Sequence, residues 1–102
     1  MYKVLLETEV VRFISKLQKS TQSKYERLRQ LLIIHGPDLG MPHARAMKSR
    51  LFELRIRGRE EVRLFCITNG DEALIFYGFI KKTNKIPKQE LKIILGLYKE
   101  II

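Results

Sequence analysis

Hydrophobic and polar positions follow two rhythms along this chain, and each change of rhythm marks an element. Tyr2 to Glu7 is a short β-like run. The period then lengthens, with Val10, Phe13, Ile14 and Leu17 recurring at i, i+3, i+4 and i+7. That stripe predicts an amphipathic helix of about three turns. Thr8 is suited to its N-cap and Glu9 to the positive end of the helix dipole. Gln18-Lys19-Ser20 breaks the pattern, and Ser20 or Thr21 can cap a second helix with Tyr25, Leu28, Leu31, Leu32 and His35 as its buried stripe. Gly36-Pro37 ends that helix, one residue tolerating a left-handed backbone and the next unable to continue. Pro37 to Arg50, interrupted by Gly40 and Pro42, reads as a loop.

From Leu51 the period is two. Phe52, Leu54 and Ile56 alternate with Glu53, Arg55 and Arg57, so one face is apolar and the other charged. Val62 to Ile67 holds a single cation, Arg63, among residues that favour a pleated surface. Ala73 to Ile80 is apolar on both faces, as in a central strand covered on two sides. Gly58 marks the first turn between these strands, and Asn69-Gly70 is a strong hairpin signal for the second. After Lys81-Lys82-Thr83-Asn84-Lys85, Pro87 opens a last helix with Leu91, Ile94, Leu95 and Tyr98 on one face. The expected fold is therefore α+β. An N-terminal strand and a helical hairpin pack on a small twisted antiparallel sheet, followed by a C-terminal helix.

Length and composition add bounds. The 102 residues make one domain, 1–102, and 45% hydrophobic with 30% charged residues is the balance of a globular chain. No apolar run reaches the roughly 18–20 residues of a membrane span, and Met1 to Glu7 is too quickly charged for a signal peptide. The expectation is a cytoplasmic protein with no membrane association. Cys66 is alone in an apolar strand, which excludes a disulfide framework and reads as a small buried hydrophobe. No metal-ligand spacing, phosphate-binding loop or dinucleotide fingerprint occurs, so no cofactor is expected. The net charge of +9 favours a polyanionic partner.

The cations sit on or just beyond the late strands. A sheet that aligns Arg55, Arg63 and the Lys81–Lys82 pair makes a cationic cleft on a rigid support, with Arg57, Thr83 and Lys85 close to the same run. His43, Arg45 and Lys48 make the preceding loop basic and able to touch the same substrate. Guanidinium forks grip phosphate oxygens in pairs. When RNA is cut by its own 2′-hydroxyl, charge builds on the non-bridging oxygens of a phosphorane. Each donor fixed on those oxygens is worth roughly 10²–10³ in rate, and no metal is required. Glu53 is the best placed base and His43 the second, while the simpler role of Glu53 is a salt bridge to Arg55 or Arg63. Tyr77 or Phe65 could orient a base. The plainer alternative is a solvated strand face carrying surface ion pairs.

Phe52-Glu53-Leu54-Arg55, Val62-Arg63 and the stretch Gly78 to Pro87 (GFIKKTNKIP) resemble the HigB-like branch of the RelE/ParE toxin superfamily, as does Leu39-Gly40-Met41-Pro42. The resemblance implies the toxin of a type II toxin–antitoxin pair: a metal-independent mRNA interferase that cuts messages, often on the ribosome, and inhibits translation. It implies a cognate antitoxin with a helix-turn-helix DNA-binding domain, and the positive charge adds the expectation of an acidic contact surface on it. It places Arg55, Arg63, Lys81 and Lys82 at the phosphate-binding and transition-state positions. Arg55 and Arg63 would hold the scissile phosphate, and Lys82 or Lys81 would protonate the leaving 5′-oxygen, work natural to an ammonium group. Two departures stand out. The residues flanking the strand arginine are Val62 and Phe65 where the family has aromatics, including a tyrosine. The last helix offers Ile94, Leu97 and Tyr98 where the family has a small residue and an arginine. Two other activities fit the same chain: inhibition of DNA gyrase through protein contact, and RNA binding without cleavage.

Overall fold

A computed structural model describes residues 1–102. The elements are β1 (Lys3–Leu6), α1 (Thr8–Ser15), α2 (Lys19–His35), a 3₁₀ turn (Gly36–Leu39), β2 (Ala44–Lys48), β3 (Leu51–Ile56), β4 (Val62–Asn69), β5 (Glu72–Ile80) and α3 (Lys88–Ile101). The α+β class and the order of helices and late strands are as expected. The sheet differs in two respects. It has five strands in the order β1-β5-β4-β3-β2, and β1 pairs with β5 in parallel, so the sheet is mixed rather than antiparallel. Ala44–Lys48, within the stretch expected to be loop, is an edge strand antiparallel to β3. A strand that returns parallel to its neighbour needs a long crossover, and the helical hairpin supplies part of it.

The sheet separates two apolar layers. On one side the hairpin contributes Val10, Leu17, Tyr25, Leu28 and Leu32. They meet Phe52, Leu54 and Ile56 of β3, Val62, Leu64 and Cys66 of β4, and Ala73 and Ile75 of β5. Gly78 sets the distance at which α1 lies on β5, because a Cβ there would fall 2.6 Å from Leu64 Cδ2 and 3.0 Å from the Phe13 ring. On the other side Ile94 and Tyr98 of α3 cover Leu51, Phe65, Ile67 and Phe76. Tyr98 also donates from its hydroxyl to the Ser49 carbonyl at 2.9 Å, fastening α3 to the β2–β3 turn.

A bulge in β5 explains why its sequence is apolar on both faces. Phe65 pairs with Tyr77 but Cys66 pairs with Ile75, leaving Phe76 as the extra residue. The extra residue reverses the alternation. Ala73 and Ile75 face the hairpin before the bulge and Ile80 after it, whereas Leu74, Phe76, Tyr77 and Phe79 all belong to the α3 side.

Several local expectations need correction. Helix α1 has 8 residues, with Glu7 rather than Thr8 at its N-cap. Helix α2 starts at Lys19 behind Gln18, with no cap from its own residues. Instead Glu60, in the β3–β4 turn, accepts from the Gln18 backbone N–H at 2.9 Å and the Thr21 hydroxyl at 2.7 Å. A carboxylate at the positive helix end replaces the local cap. His35 is exposed at the helix end and outside the buried stripe. Cys66 is fully buried, and burial pushes its thiol up out of the reactive range. No helix is long and apolar enough to cross a membrane.

Candidate functional site

Helix α3 covers only part of its side of the sheet, and the remainder is charged. In β3 the residues facing this side after Leu51 are Glu53 and Arg55, and in β4 the one preceding Phe65 is Arg63. Arg55 and Arg63 are direct cross-strand partners. Like charges directly opposite one another destabilise a sheet, and two carboxylates resolve the conflict here. Glu53 Oε1 accepts from Arg55 Nε at 2.8 Å, and Glu53 Oε2 lies 4.0 Å from Arg63 Nε. Glu61 Oε1 accepts from Arg63 Nη2 at 3.3 Å and lies 3.6 Å from Arg57 Nη1. The remaining Arg63 terminal nitrogen donates to the Val62 carbonyl at 3.0 Å. Arg63 is 2% exposed, and its Nε is the one buried side-chain polar atom without a hydrogen bond.

Above Glu53 lies an open cleft of about 520 Å³ with no hydrophobic lining, to which Arg55, Arg57, Glu61 and Arg63 contribute. Arg55 and Arg63 belong to the floor, while Arg45 of β2, Arg57, Lys81 and Lys82 complete the cationic lining. Thr83 and Asn84 are the cleft's uncharged lining residues. The segment after β5 is held there by the Lys81 N–H, which donates to the Glu61 carbonyl at 2.6 Å. The turn bearing Arg57 and Glu61 is tied to α2 by Glu60 and by Lys24 Nζ, which donates to the Arg57 carbonyl at 2.8 Å. The cations thus stand on fixed backbone from four chain segments. Glu61 is the one carboxylate in the lining. The Gly58 N–H, together with the Arg63 and Arg57 guanidiniums, holds it below the usual carboxylate range.

Of the residues singled out in the sequence, Arg45, Arg55, Arg57, Arg63, Lys81, Lys82 and Thr83 meet in this cleft. Glu53 is buried beneath it and lines an adjoining pocket. His43 lines a separate cleft against α2, with Lys24 and Arg27, that reaches Arg55 and Arg57 from the other side. Lys48 and Lys85 are exposed outside the cleft. Tyr77 is also outside it, its hydroxyl donating to Glu90 Oε2 of α3 at 2.8 Å. Burial and that carboxylate push its phenol up to about 12. Phe65 cannot stack on a base, because it is completely buried and parallel to Phe79 at 5.9 Å between ring centres. The sequence reading gave Glu61 only a surface ion pair with the strand arginines, and Asn84 no role at the site. Glu61 lies in the turn whose register the sequence left open, and only its i, i+4 spacing from Arg57 gave a signal.

The arrangement can hold a phosphodiester. Fixed guanidiniums and ammonium groups without apolar neighbours suit a group that is charged on every free oxygen. No group of three His, Cys, Asp or Glu side chains stands close enough to ligate a metal ion.

The family described as phage derived protein Gp49-like (DUF891) matches residues 12–99, and the chain belongs to it. It is a RelE/HigB-like toxin family of toxin–antitoxin systems, which implies a cognate antitoxin. No curated protein matches the chain.

Proposed function

We propose, with membership of this toxin family as the premise, that the chain is a metal-independent endoribonuclease that cuts mRNA by attack of the 2′-hydroxyl and so arrests translation. The observation that carries this reading is the polar cleft in which Arg45, Arg55, Arg57, Arg63, Lys81 and Lys82 converge. The exposed cations Arg45, Arg57 and Lys82 grip the RNA backbone. Arg55 and Arg63 act from the floor, where little water screens them, on charge that develops at the scissile phosphate. Lys82 or Lys81 delivers a proton to the leaving 5′-oxygen, while the attacking 2′-hydroxyl gives its own proton to solvent, from which the lysine is reprotonated. Glu53 is held by Arg55 and close to Arg63, so its work at this site is to orient the two guanidiniums.

The same face accounts for inhibition by a partner. An acidic segment of the antitoxin, whose remaining part is a helix-turn-helix DNA-binding domain, covers the cationic cleft and competes with RNA for it. Charge of this kind accelerates association more than it deepens affinity.

The test is to incubate the protein with mRNA, with and without translating ribosomes and EDTA, and to map the ends produced. New ends with 2′,3′-cyclic phosphate that persist in EDTA are expected, and ribosomes are expected to raise their yield. A folded protein that yields no ends in any arm, or that needs a divalent ion, would overturn the reading. Inhibition of gyrase supercoiling without cleavage would replace it.

A further inference from the structure

We infer that Glu61 is a gate over Arg63: its carboxylate holds the place of a substrate phosphate on that guanidinium and swings away when a phosphodiester enters. This rests on the nuclease reading for the identity of the entering group, while the contacts that support it belong to the protein alone.

Arg63 is closed to a substrate in the free protein. It is 2% exposed, although it lines the cationic cleft. Its Nη1 donates to the Val62 carbonyl at 3.0 Å, its Nη2 donates to Glu61 Oε1 at 3.3 Å, and its buried Nε has no acceptor. Nε and Nη2 form one edge of the guanidinium, and such an edge is gripped by two oxygens of a carboxylate or phosphate at once. Glu61 engages only half of it. Its Oε2 is kept by the Gly58 N–H at 3.0 Å, and its Oε1 also lies 3.6 Å from Arg57 Nη1. A buried donor without a partner is costly, so the edge favours any anion that brings two acceptors together. The non-bridging oxygens of a phosphodiester do so.

The two carboxylates beside Arg63 differ in freedom. The Glu53 side chain is 4% exposed and bound to Arg55 at 2.8 Å, which makes it a fixed support. The Glu61 side chain is 35% exposed, and its backbone carbonyl is anchored by the Lys81 N–H at 2.6 Å. Opening is therefore a side-chain rotation into water that leaves the turn in place. Glu61 is also the one carboxylate among six cations in the lining. While the cleft is empty, it neutralises a buried guanidinium that would otherwise be stranded. An entering phosphodiester repels the carboxylate and takes over the same duty, so one anion replaces another on Arg63. The affinity for nucleic acid is then lowered by the fraction of molecules in which the gate is closed.

The experiment uses Glu61→Gln, which keeps the shape of the side chain and an oxygen for the Gly58 N–H. The probe is single-stranded DNA, which carries phosphodiesters without a 2′-hydroxyl, titrated by fluorescence anisotropy into the wild type, Glu61→Gln, Arg63→Met and the double variant. Glu61→Gln is expected to bind about five-fold more tightly, the worth of one ion pair, and its KM for RNA is expected to fall by the same factor. In the Arg63→Met background the gain is expected to vanish, because the gate then has nothing to cover. In the wild type, the Arg63 Nε–H resonance is expected to shift as DNA saturates the protein. No gain in folded Glu61→Gln would overturn the gate. An equal gain in the Arg63→Met background would also overturn it, since Glu61 would then be only one negative charge near the nucleic acid. An unmoved Nε–H resonance would do the same, and that measurement decides the matter even where Glu61→Gln fails to fold. Tighter DNA binding by Glu61→Gln with no RNA cleavage by the wild type would overturn the nuclease reading and leave the gate standing. Cleavage without any gain in binding would do the reverse.

Discussion

Strands β3 and β4 present two faces made to opposite specifications. Towards the hairpin they offer Phe52, Leu54, Ile56, Val62, Leu64 and Cys66, all 4% exposed or less. Towards the opposite side the same strands offer, beyond the apolar Leu51, Phe65 and Ile67 that α3 covers, a patch of Glu53, Arg55 and Arg63 that is also largely removed from water but charged. Burying an apolar side chain contributes roughly 1.5–3 kcal/mol. Burying a guanidinium costs desolvation that its carboxylate neighbours only offset. The apolar positions of both faces therefore supply stability, and the charged patch consumes part of it to keep cations rigid. The difference teaches where to look for function in a small domain, namely where burial and charge coincide.

The sharpest way to break this division is to substitute neighbours on one strand. Arg63→Met keeps the volume and removes the charge. Cleavage is expected to fall by roughly 10²–10³. The stability loss should stay below the 3–5 kcal/mol of a stranded buried charge, because Glu53 keeps Arg55, and Glu61 keeps the Gly58 N–H. Lys82→Ala, at an exposed position, should lower cleavage by at least about ten-fold with no change in unfolding midpoint. Leu64→Ala, one residue from Arg63, should do the opposite. It is expected to cost about 2–5 kcal/mol in urea unfolding while cleavage per folded molecule is unchanged. An Arg63→Met protein that cuts RNA at the wild-type rate would end the functional half of the comparison.

The two faces were not equally legible in the sequence. The hairpin face could be read directly, because Phe52, Leu54 and Ile56 carry the period of a strand, and Val10, Phe13, Ile14 and Leu17 that of a helix. That Arg55 and Arg63 come near one another followed from two strands joined by the Gly58 turn, but their direct pairing did not, because the register across Arg59-Glu60-Glu61 was open. What escaped depends on partners distant in sequence. Ala44-Arg45-Ala46-Met47-Lys48 has no β-branched residue and no clear alternation, and it becomes a strand only because β3 offers an edge. The parallel pairing of β1 with β5 leaves no mark in either strand. The bulge at Phe76 is hidden in a uniformly apolar run, and it turns Tyr77 towards Glu90. Glu60 as the cap of α2 comes from a turn about forty residues further on, beyond any local capping rule.

A smaller effect tests the packing of the hairpin layer. Gly78→Ala places a methyl group 2.6 Å from Leu64 Cδ2 and 3.0 Å from the Phe13 ring, so these side chains must shift to admit it. Overpacking of this kind costs about 1–3 kcal/mol. Because Gly78 faces away from the cleft, RNA cleavage by the folded fraction is expected to persist, measured at a temperature below the lowered melting midpoint.

The smallest effect asks whether the two layers melt as one. Tyr25 lies in the hairpin layer and Tyr77 on the α3 side, and both phenols are pushed up to about 12, Tyr25 chiefly by burial and Tyr77 by burial and then by Glu90. A phenol raised from its ordinary 10.0 contributes stability that is fully present below pH 10 and is lost as pH climbs through about 12. The unfolding midpoint should therefore fall between those values. Tyr25→Phe and Tyr77→Phe should each remove a comparable part of the fall if unfolding is a single transition, the buried Cys66 thiol, which is also pushed up, supplying the remainder. Tyr77→Phe should also lower stability below pH 10 by about 1 kcal/mol through the lost hydrogen bond to Glu90. If α3 detaches before the rest, Tyr77→Phe will change the pH dependence of the first transition alone and Tyr25→Phe that of the second. Circular dichroism at 222 nm against near-ultraviolet tyrosine signals will distinguish these outcomes, and two separated transitions would show that the charged face is also the weaker one.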